Sequence, residues 1–298
     1  MSHSNGLVDI ILPTHRRPHT IGYAIRAVLQ QTYSAWRLHV VGDGCDEATE
    51  TIVRSFRDTR IGFYRFSKAH GFGYLHRNTV LRQTDGEFIA YATDDDLWFP
   101  DHLAKGVAAL QQAPLSLVAF RSALVRFPDT LDPYFFAYDW RRVPAAQLLV
   151  RWFVGSVECV HRRTVFDRVG YWNDALVRFG DREFHNRVRA SSLPTRYVDD
   201  ITVLRFYALH WDDNYSKVEQ SPQAVYVERL CDGDFTKTLR AAARDGKRSA
   251  AVRWRQWDDF TRFGVRSGPK FARFWLQKWR SSPVALDEGA AVAQRRKG

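Results

Sequence analysis

The sequence predicts an α/β fold: a mainly parallel sheet flanked by helices, followed by a C-terminal helical extension. Three observations carry that reading. Short apolar runs alternate with helix-spaced apolar patterns through the first 112 residues. Pro, Gly and Asp punctuate the runs where strands end and helices begin. Successive strands joined by helices build a parallel sheet, because each helix is a crossover that returns the chain to the same end of the sheet.

Leu7 to Leu12 reads as a buried strand that stops at Pro13. Pro18 to Gln31 carries Ile21, Ala24, Ile25, Val28 and Leu29 at helical spacing, with Pro18 suited to the first turn. Trp36 to Val41 is the second strand. Asp46 to Phe56 is the second helix, with Asp46 as its cap and Ile52, Val53 and Phe56 as its apolar stripe. Ile61 to Phe66, a helix over 73–83, Glu87 to Ala92 and a helix from Pro100 to Gln112 continue the alternation. Beyond it the pattern mixes strands (Ser116 to Phe127, Gly155 to His161, Arg196 to Phe206) with helices (Arg162 to Val169, Asp181 to Ala190). From about 222 onward the chain is helical and rich in Arg, Ala, Trp and Phe.

Composition narrows the class. Hydrophobic content of 45% and charged content of 26% are ordinary for a globular protein. No apolar stretch reaches the roughly 18 residues of a membrane span. The N-terminus lacks the basic start and apolar core of a secretory signal. Three scattered cysteines give neither a disulfide framework nor metal-type spacing, and fit a reducing cytoplasm. The net charge is +11, and from Arg240 onward fifteen Lys or Arg face five Asp or Glu. The body is therefore near neutral, which argues against nucleic-acid binding as its purpose.

In parallel α/β sheets, ligands sit beyond the carboxyl ends of the strands. Those ends are Pro13-Thr14-His15, Gly42-Asp43-Gly44 and Thr93-Asp94-Asp95-Asp96. Three adjacent carboxylates repel one another unless a cation joins them. A solvated turn capping the next helix is the plain reading of such a run. Its place after a buried strand favours a hard-metal site instead, for Mg2+ or Mn2+ bound together with substrate phosphates.

Taken together, VDIILPTHRRPHTIGYAIRAVLQQTY, WRLHVVGDG, HRNTVLRQTDGEFIAYATDDDLWFPDHL and VGYWNDALVRFGDREFHNRV resemble family 2 glycosyltransferases of the GT-A (Rossmann-like) fold, over roughly residues 7 to 205. The resemblance implies inverting transfer of a sugar from a nucleotide diphosphate to an acceptor hydroxyl. Residues 1–221 would form the catalytic domain, with a donor half over about 1–112 and an acceptor half over about 113–221. Residues 222–298 would form the basic aromatic extension.

The resemblance also implies roles. Pro13 and Thr14 match the loop beside the nucleotide, and Asp43 the acid that accepts from the base. Arg77 matches the arginine near base and phosphates. Asp95 leads the metal contacts, with Asp94 at the ribose or a metal-bound water and Asp96 a weaker candidate. Asp181 matches the catalytic base, and His210 a further metal or phosphate contact. Each has a plainer reading: helix caps for Asp95 and Asp181, an Asx turn for Asp43, a surface position for Arg77, a structural histidine for His210. Trp98 and Trp211 could stack on sugars or simply fill the core.

The departures from the family pattern are Gly42 for the first acid of a pair, Cys45 for a serine, Thr93 for the first aspartate and Gly180 for the glutamate before the base. The implied donor is a nucleotide-diphosphate sugar, with UDP-sugars favoured over GDP- and dTDP-sugars. The acceptor is a saccharide or a lipid-linked one.

Phe271, Phe274, Trp275 and Trp279 share a helical face ringed by basic residues. That face suits an anionic membrane surface, packing on the body, or a second copy of the chain. The expected location is the cytoplasm, at the inner face of the membrane if the tail binds it. Two other functions compete. A nucleotidyltransferase would want a Gly-rich phosphate loop, which His15-Arg16-Arg17-Pro18 is not. A non-enzymatic membrane- or nucleic-acid-binding module would leave the ordered body motifs unexplained.

Overall fold

The computed structural model describes residues 4–126, 130–132, 155–206 and 223–244. The chain divides into compact units Met1–Gly246 and Lys247–Gly298, and every described residue lies in the first. His210, Trp211 and the aromatic face at 271–279 lie outside the described residues.

The first half is the predicted alternation. Strands β1 (Ser4–Thr14), β2 (Trp36–Asp43), β3 (Ile61–Phe66) and β4 (Gly86–Tyr91) are parallel, in the order β3-β2-β1-β4. Helices α1 (Ile21–Leu29), α2 (Glu47–Ser55) and α3 (Tyr74–Leu81) connect them, and α4 (His102–Gln112) follows. Asp46 caps α2 as expected, its Oδ1 accepting the Thr49 amide at 2.9 Å.

Several boundaries differ from expectation: the strand expected from Gly155 opens with a 3-10 turn over Ser156–Glu158 and begins at Cys159, and the helix expected from Arg162 begins at Val165. Helix α1 starts at Ile21, after a turn in which the Arg17 carbonyl accepts the Thr20 and Ile21 amides. Strand β1 runs through Pro13 to Thr14. Its last partner on β4 is Ile11↔Tyr91, so the N–H that Pro13 lacks falls beyond that ladder and breaks no bond.

The sheet then continues as β4-β8-β6-β9-β5. Its members are β5 (Leu97–Trp98), β6 (Leu117–Arg126), β8 (Cys159–Arg162) and β9 (Thr195–Phe206); β7 (Thr130–Asp132) pairs with β6. Strand β8 is antiparallel to β4 and β6, β9 is parallel to β6, and β5 is antiparallel to β9. Helices α5 (Val165–Val169), α6 (Gly180–Ala190), α7 (Gln223–Arg229) and α8 (Gly233–Arg244) complete the described α-helices.

Alternate residues of β1 feed two cores. Val8, Ile10 and Leu12 pack with Ile25 and Val28 of α1, Val53 of α2 and Val107 of α4. Ile11 packs on the other face with Leu81 of α3, Phe166 of α5 and Phe184 of α6. Period-2 burial on both faces is what a sheet sandwiched by helices requires. A third cluster joins Leu97, Phe99 and Leu204 to Tyr226 and Val227 of α7 and Leu239 of α8. Arg240 of α8 also pairs with Asp101 at 2.7 Å.

Toward the N-terminal edge of the sheet lies a closed charge network. Asp9 is fully buried. It accepts from the Gly86 amide at 2.7 Å, Arg163 Nη2 at 2.7 Å and His39 Nε2 at 2.8 Å. Burial alone would raise its pKa, but His39, the Gly86 amide and Arg37 more than offset this and lower it.

Candidate active site

The parallel register brings three strand ends to one edge. Thr14 is in register with Gly42, and the Ala92 amide still bonds to the Ile11 carbonyl at 3.0 Å. The chain beyond β4 therefore passes beside the loop after β1. The acidic run follows immediately.

The three aspartates face different ways. Asp94 lies against the loop after β1, where the Thr14 hydroxyl, the His15 amide and Arg17 act on it. Asp96 is buried and turned inward: its Oδ1 accepts the Phe206 amide at 3.1 Å and its Oδ2 lies 3.4 Å from Arg205 Nε. Asp95 sits between them, and its carbonyl accepts Gln223 Nε2 of α7 at 2.9 Å. Burial first, and the Asp95 charge second, push Asp94 and Asp96 up to about 7. The Thr93 hydroxyl, at the start of the run, is buried with no hydrogen-bond partner among the described residues.

Asp43 ends β2 and is enclosed by the loop after β3. Its Oδ1 accepts the Ala69 amide and its Oδ2 accepts Lys68 Nζ, both at 2.6 Å. His76 Nε2 lies 3.5 Å from Oδ1. Gly73 is needed for this closure. It has a φ of +68°, and a Cβ there would meet Asp43 Oδ2 at 2.9 Å.

Arg77 sits one turn into α3. Its Nη2 donates to the Phe72 carbonyl at 3.0 Å, and its guanidinium lies over the rings of Tyr74 (4.7 Å) and Trp172 (5.7 Å). Its Nε is buried with no hydrogen-bond partner among the described residues. Burial lowers its pKa, and Tyr74, Asp181, Tyr91 and Asp94 work against that fall. Arg77 thus feels the charges of both Asp94 and Asp181.

Asp181 occupies the first turn of α6, and its Oδ1 accepts the Arg182 amide at 2.8 Å. It is not the N-cap, which is Phe179 in a left-handed conformation with φ 61°. Pro13 is within β1, adjacent in register to Val41. Trp98 is a core residue: 3% exposed, its Nε1 donates to the Val157 carbonyl at 2.9 Å.

Two charged residues that the sequence reading passed over join this edge. Arg205, next to the end of β9, lies 3.3 Å from Glu158 Oε1 and 3.4 Å from Asp96. Burial would depress its guanidinium, but Glu158, Asp96, Asp95 and Asp181 together push it above its usual value. Glu158 is 1% exposed, bonds to Ser122 Oγ at 2.9 Å, and is raised by burial. No motif announced them. Only the strand order β8-β6-β9 brings them to the acidic run.

Two of the four departures from the family pattern, Gly42 and Gly180, fall where a side chain would meet an aromatic ring. A Cβ on Gly42 would lie 2.8 Å from the Phe63 ring, and Cys45 Sγ donates to the Thr14 carbonyl at 3.3 Å. A Cβ on Gly180 would lie 2.5 Å from the Tyr74 ring.

Among the described residues, no group of three or more His, Cys, Asp or Glu is arranged to hold a metal ion. The Asp94–Asp95 pair nevertheless fits a hard cation in its chemistry. It offers carboxylate oxygens at a strand end, and burial together with the Asp95 charge pushes Asp94 up to about 7, a shift that a bound cation would oppose.

An α/β sheet with carboxylates at its carboxyl edge defines the class, and the architecture is that of GT-A glycosyltransferases. The chain belongs to glycosyl transferase family 2, whose model matches residues 9–172. It is 35% identical over 112 residues to the Escherichia coli UDP-Glc:alpha-D-GlcNAc-diphosphoundecaprenol beta-1,3-glucosyltransferase WfgD, covering 38% of this chain and 44% of that protein. It is 25% identical over 211 residues to Bacillus subtilis protein CgeD, covering 65% and 49%. The matches thus span less than half the length of these two relatives.

Among solved structures, S. aureus TarS 1-349 in complex with UDP-GlcNAc aligns with a TM-score of 0.54 at 17% identity, covering 75% of this chain and 65% of that one. The Pyrobaculum calidifontis mannosyltransferase PcManGT, in complex with GDP-Man and Mn2+, aligns at 0.50 and 15%, covering 90% and 82%. At these identities the likeness is one of fold.

Proposed function

We propose that this chain transfers a sugar, with inversion, from a nucleotide diphosphate to an acceptor hydroxyl, and that Asp181 is the general base. One observation carries the reading most: the Tyr74 ring lies 4.7 Å from the Arg77 guanidinium while its hydroxyl meets, at 2.9 Å, the amide of Gly180, the residue before Asp181, so a cation and a carboxylate are held by one side chain. An inverting displacement needs positive charge near the leaving diphosphate and a carboxylate near the attacking hydroxyl. Asp43 would receive the nucleobase and Thr14 would line the nucleotide loop. Pro13 would shape that loop from within the end of β1.

Asp95, assisted by Asp94, would hold Mg2+ or Mn2+. Such an ion neutralises diphosphate charge when bound. Asp96, already engaged by Phe206 and Arg205, would support Asp95 more than it ligates. Asp181 would take the acceptor proton, and the Nε of Arg77, which has no hydrogen-bond partner among the described residues, would donate to a phosphate oxygen. His210 stays a proposed further contact. A UDP-sugar is favoured as donor, since one relative and one structural neighbour carry UDP-linked names. A lipid-linked saccharide is the proposed acceptor, because the WfgD name specifies a diphosphoundecaprenol substrate. No helix among the described residues is long and apolar enough to cross a membrane. Contact with an anionic inner membrane face is proposed for the basic region from Arg240 onward, where fifteen Lys or Arg face five Asp or Glu.

A thermal-shift screen of UDP-, GDP- and dTDP-sugars with and without Mn2+ tests the donor claim. Saturating donor at about 100 times its Kd adds roughly 2.7 kcal/mol of stability. A shift with a UDP-sugar that needs Mn2+ is expected; no shift with any of the three would sink the reading.

A further inference from the structure

Tyr74, the first residue of α3, touches both halves of the proposed site. Its ring carries the Arg77 guanidinium at 4.7 Å and stacks beside Trp172, with centroids 5.9 Å apart and planes 17° apart. Its hydroxyl accepts the Gly180 amide at 2.9 Å. That amide is among the first N–H groups of α6, which have no partner inside the helix. No side chain caps α6 at Phe179, so the Tyr74 hydroxyl does that work. Asp181 is the next residue.

Gly180 lies directly on the Tyr74 ring, and an added Cβ would come within 2.5 Å of two ring carbons. Asn78, one turn further along α3, closes the arrangement. Its side chain donates to the Trp172 carbonyl at 2.8 Å and accepts the Trp172 amide at 3.1 Å. The surface that bears Arg77 and the helix end that bears Asp181 are therefore fixed to the same ring.

We propose that Tyr74 is a positioning residue that links the donor-side Arg77 to the base Asp181. Its ring sets the guanidinium and its hydroxyl sets the first turn of α6. The proposal rests on the base role given to Asp181 above. It also accounts for glycine at position 180, since a larger residue would push the helix start off the ring.

Two substitutions separate the two functions of one side chain. Tyr74→Phe keeps the ring and removes the hydroxyl. It should lower kcat by about tenfold or more through a misplaced base, shift the acidic limb of the kcat–pH profile, and leave the donor Kd within about twofold. Tyr74→Leu removes both contacts and should also weaken donor binding by about tenfold, the loss of one charge-assisted contact held in place. Thermal midpoints measured alongside confirm that each variant is folded.

Wild-type kcat and pH profile in Tyr74→Phe would overturn the proposal. So would a donor Kd raised equally in both variants. Asp181→Asn, run in parallel, keeps the two claims apart. Near-normal turnover there removes the base assignment itself. An inactive Asp181→Asn beside an unaffected Tyr74→Phe removes only the role of Tyr74.

Discussion

Two acidic centres of the sheet, one fully buried at Asp9 and one half-buried at Asp94, are built in opposite ways. Toward its N-terminal edge, Asp9 is surrounded by Arg163, His39, Arg37 and a backbone amide, and its pKa is lowered. At its carboxyl edge, Asp94 has Arg17, the Thr14 hydroxyl and the His15 amide, set against burial and the Asp95 charge, and its pKa is raised to about 7. A buried charge is tolerated when its partners complete it, and it shifts its pKa when they do not. The first centre is completed by the fold. The second is left short of positive charge, as a site for a cation and phosphates would be.

The largest effect should come from breaking the completed centre. Asp9→Ala leaves Arg163 and His39 buried without their carboxylate and should cost about 3–5 kcal/mol in denaturant unfolding. A loss below about 1 kcal/mol would mean the network is structurally idle.

Asp94→Asn should behave differently. In metal-free buffer it removes a carboxyl whose ionised form the fold disfavours. Because the folded pKa lies above the unfolded one, the wild-type group stabilises the fold at low pH and loses that contribution as pH rises from about 4 through about 7. Asp9 has the reverse sign, with stability present above its unfolded pKa and lost in acid. The thermal midpoint of Asp94→Asn should therefore gain on wild type across pH 4 to 7, while its Mn2+-dependent donor shift weakens. A parallel pH dependence in the two proteins would contradict this contrast.

Much of the fold was legible because its first half obeys local rules. Apolar periodicity placed β1 to β4 and their helices, and Asp46 marked its own helix start. What stayed hidden depends on long-range pairing. Strand β5 is two residues long and exists because Leu97 pairs with Leu204. That same pairing turns Asp96 toward Phe206 and away from its neighbours, so the acidic run divides in a way charge alone does not reveal. Arg205 and Glu158 lie 47 residues apart and carry no motif. The Tyr74–Gly180 contact spans 106 residues, and its trace in the sequence was a glycine where a larger residue was expected.

In the proposed mechanism, donor capture and proton removal are carried by different carboxylates at one sheet edge. The most direct measurement compares donor binding and turnover in Asp181→Asn. Donor Kd within about twofold of wild type, with kcat reduced by about 10²–10⁴, is the result expected for loss of a general base alone. Turnover within a few fold of wild type, or donor binding lost together with turnover, would contradict it.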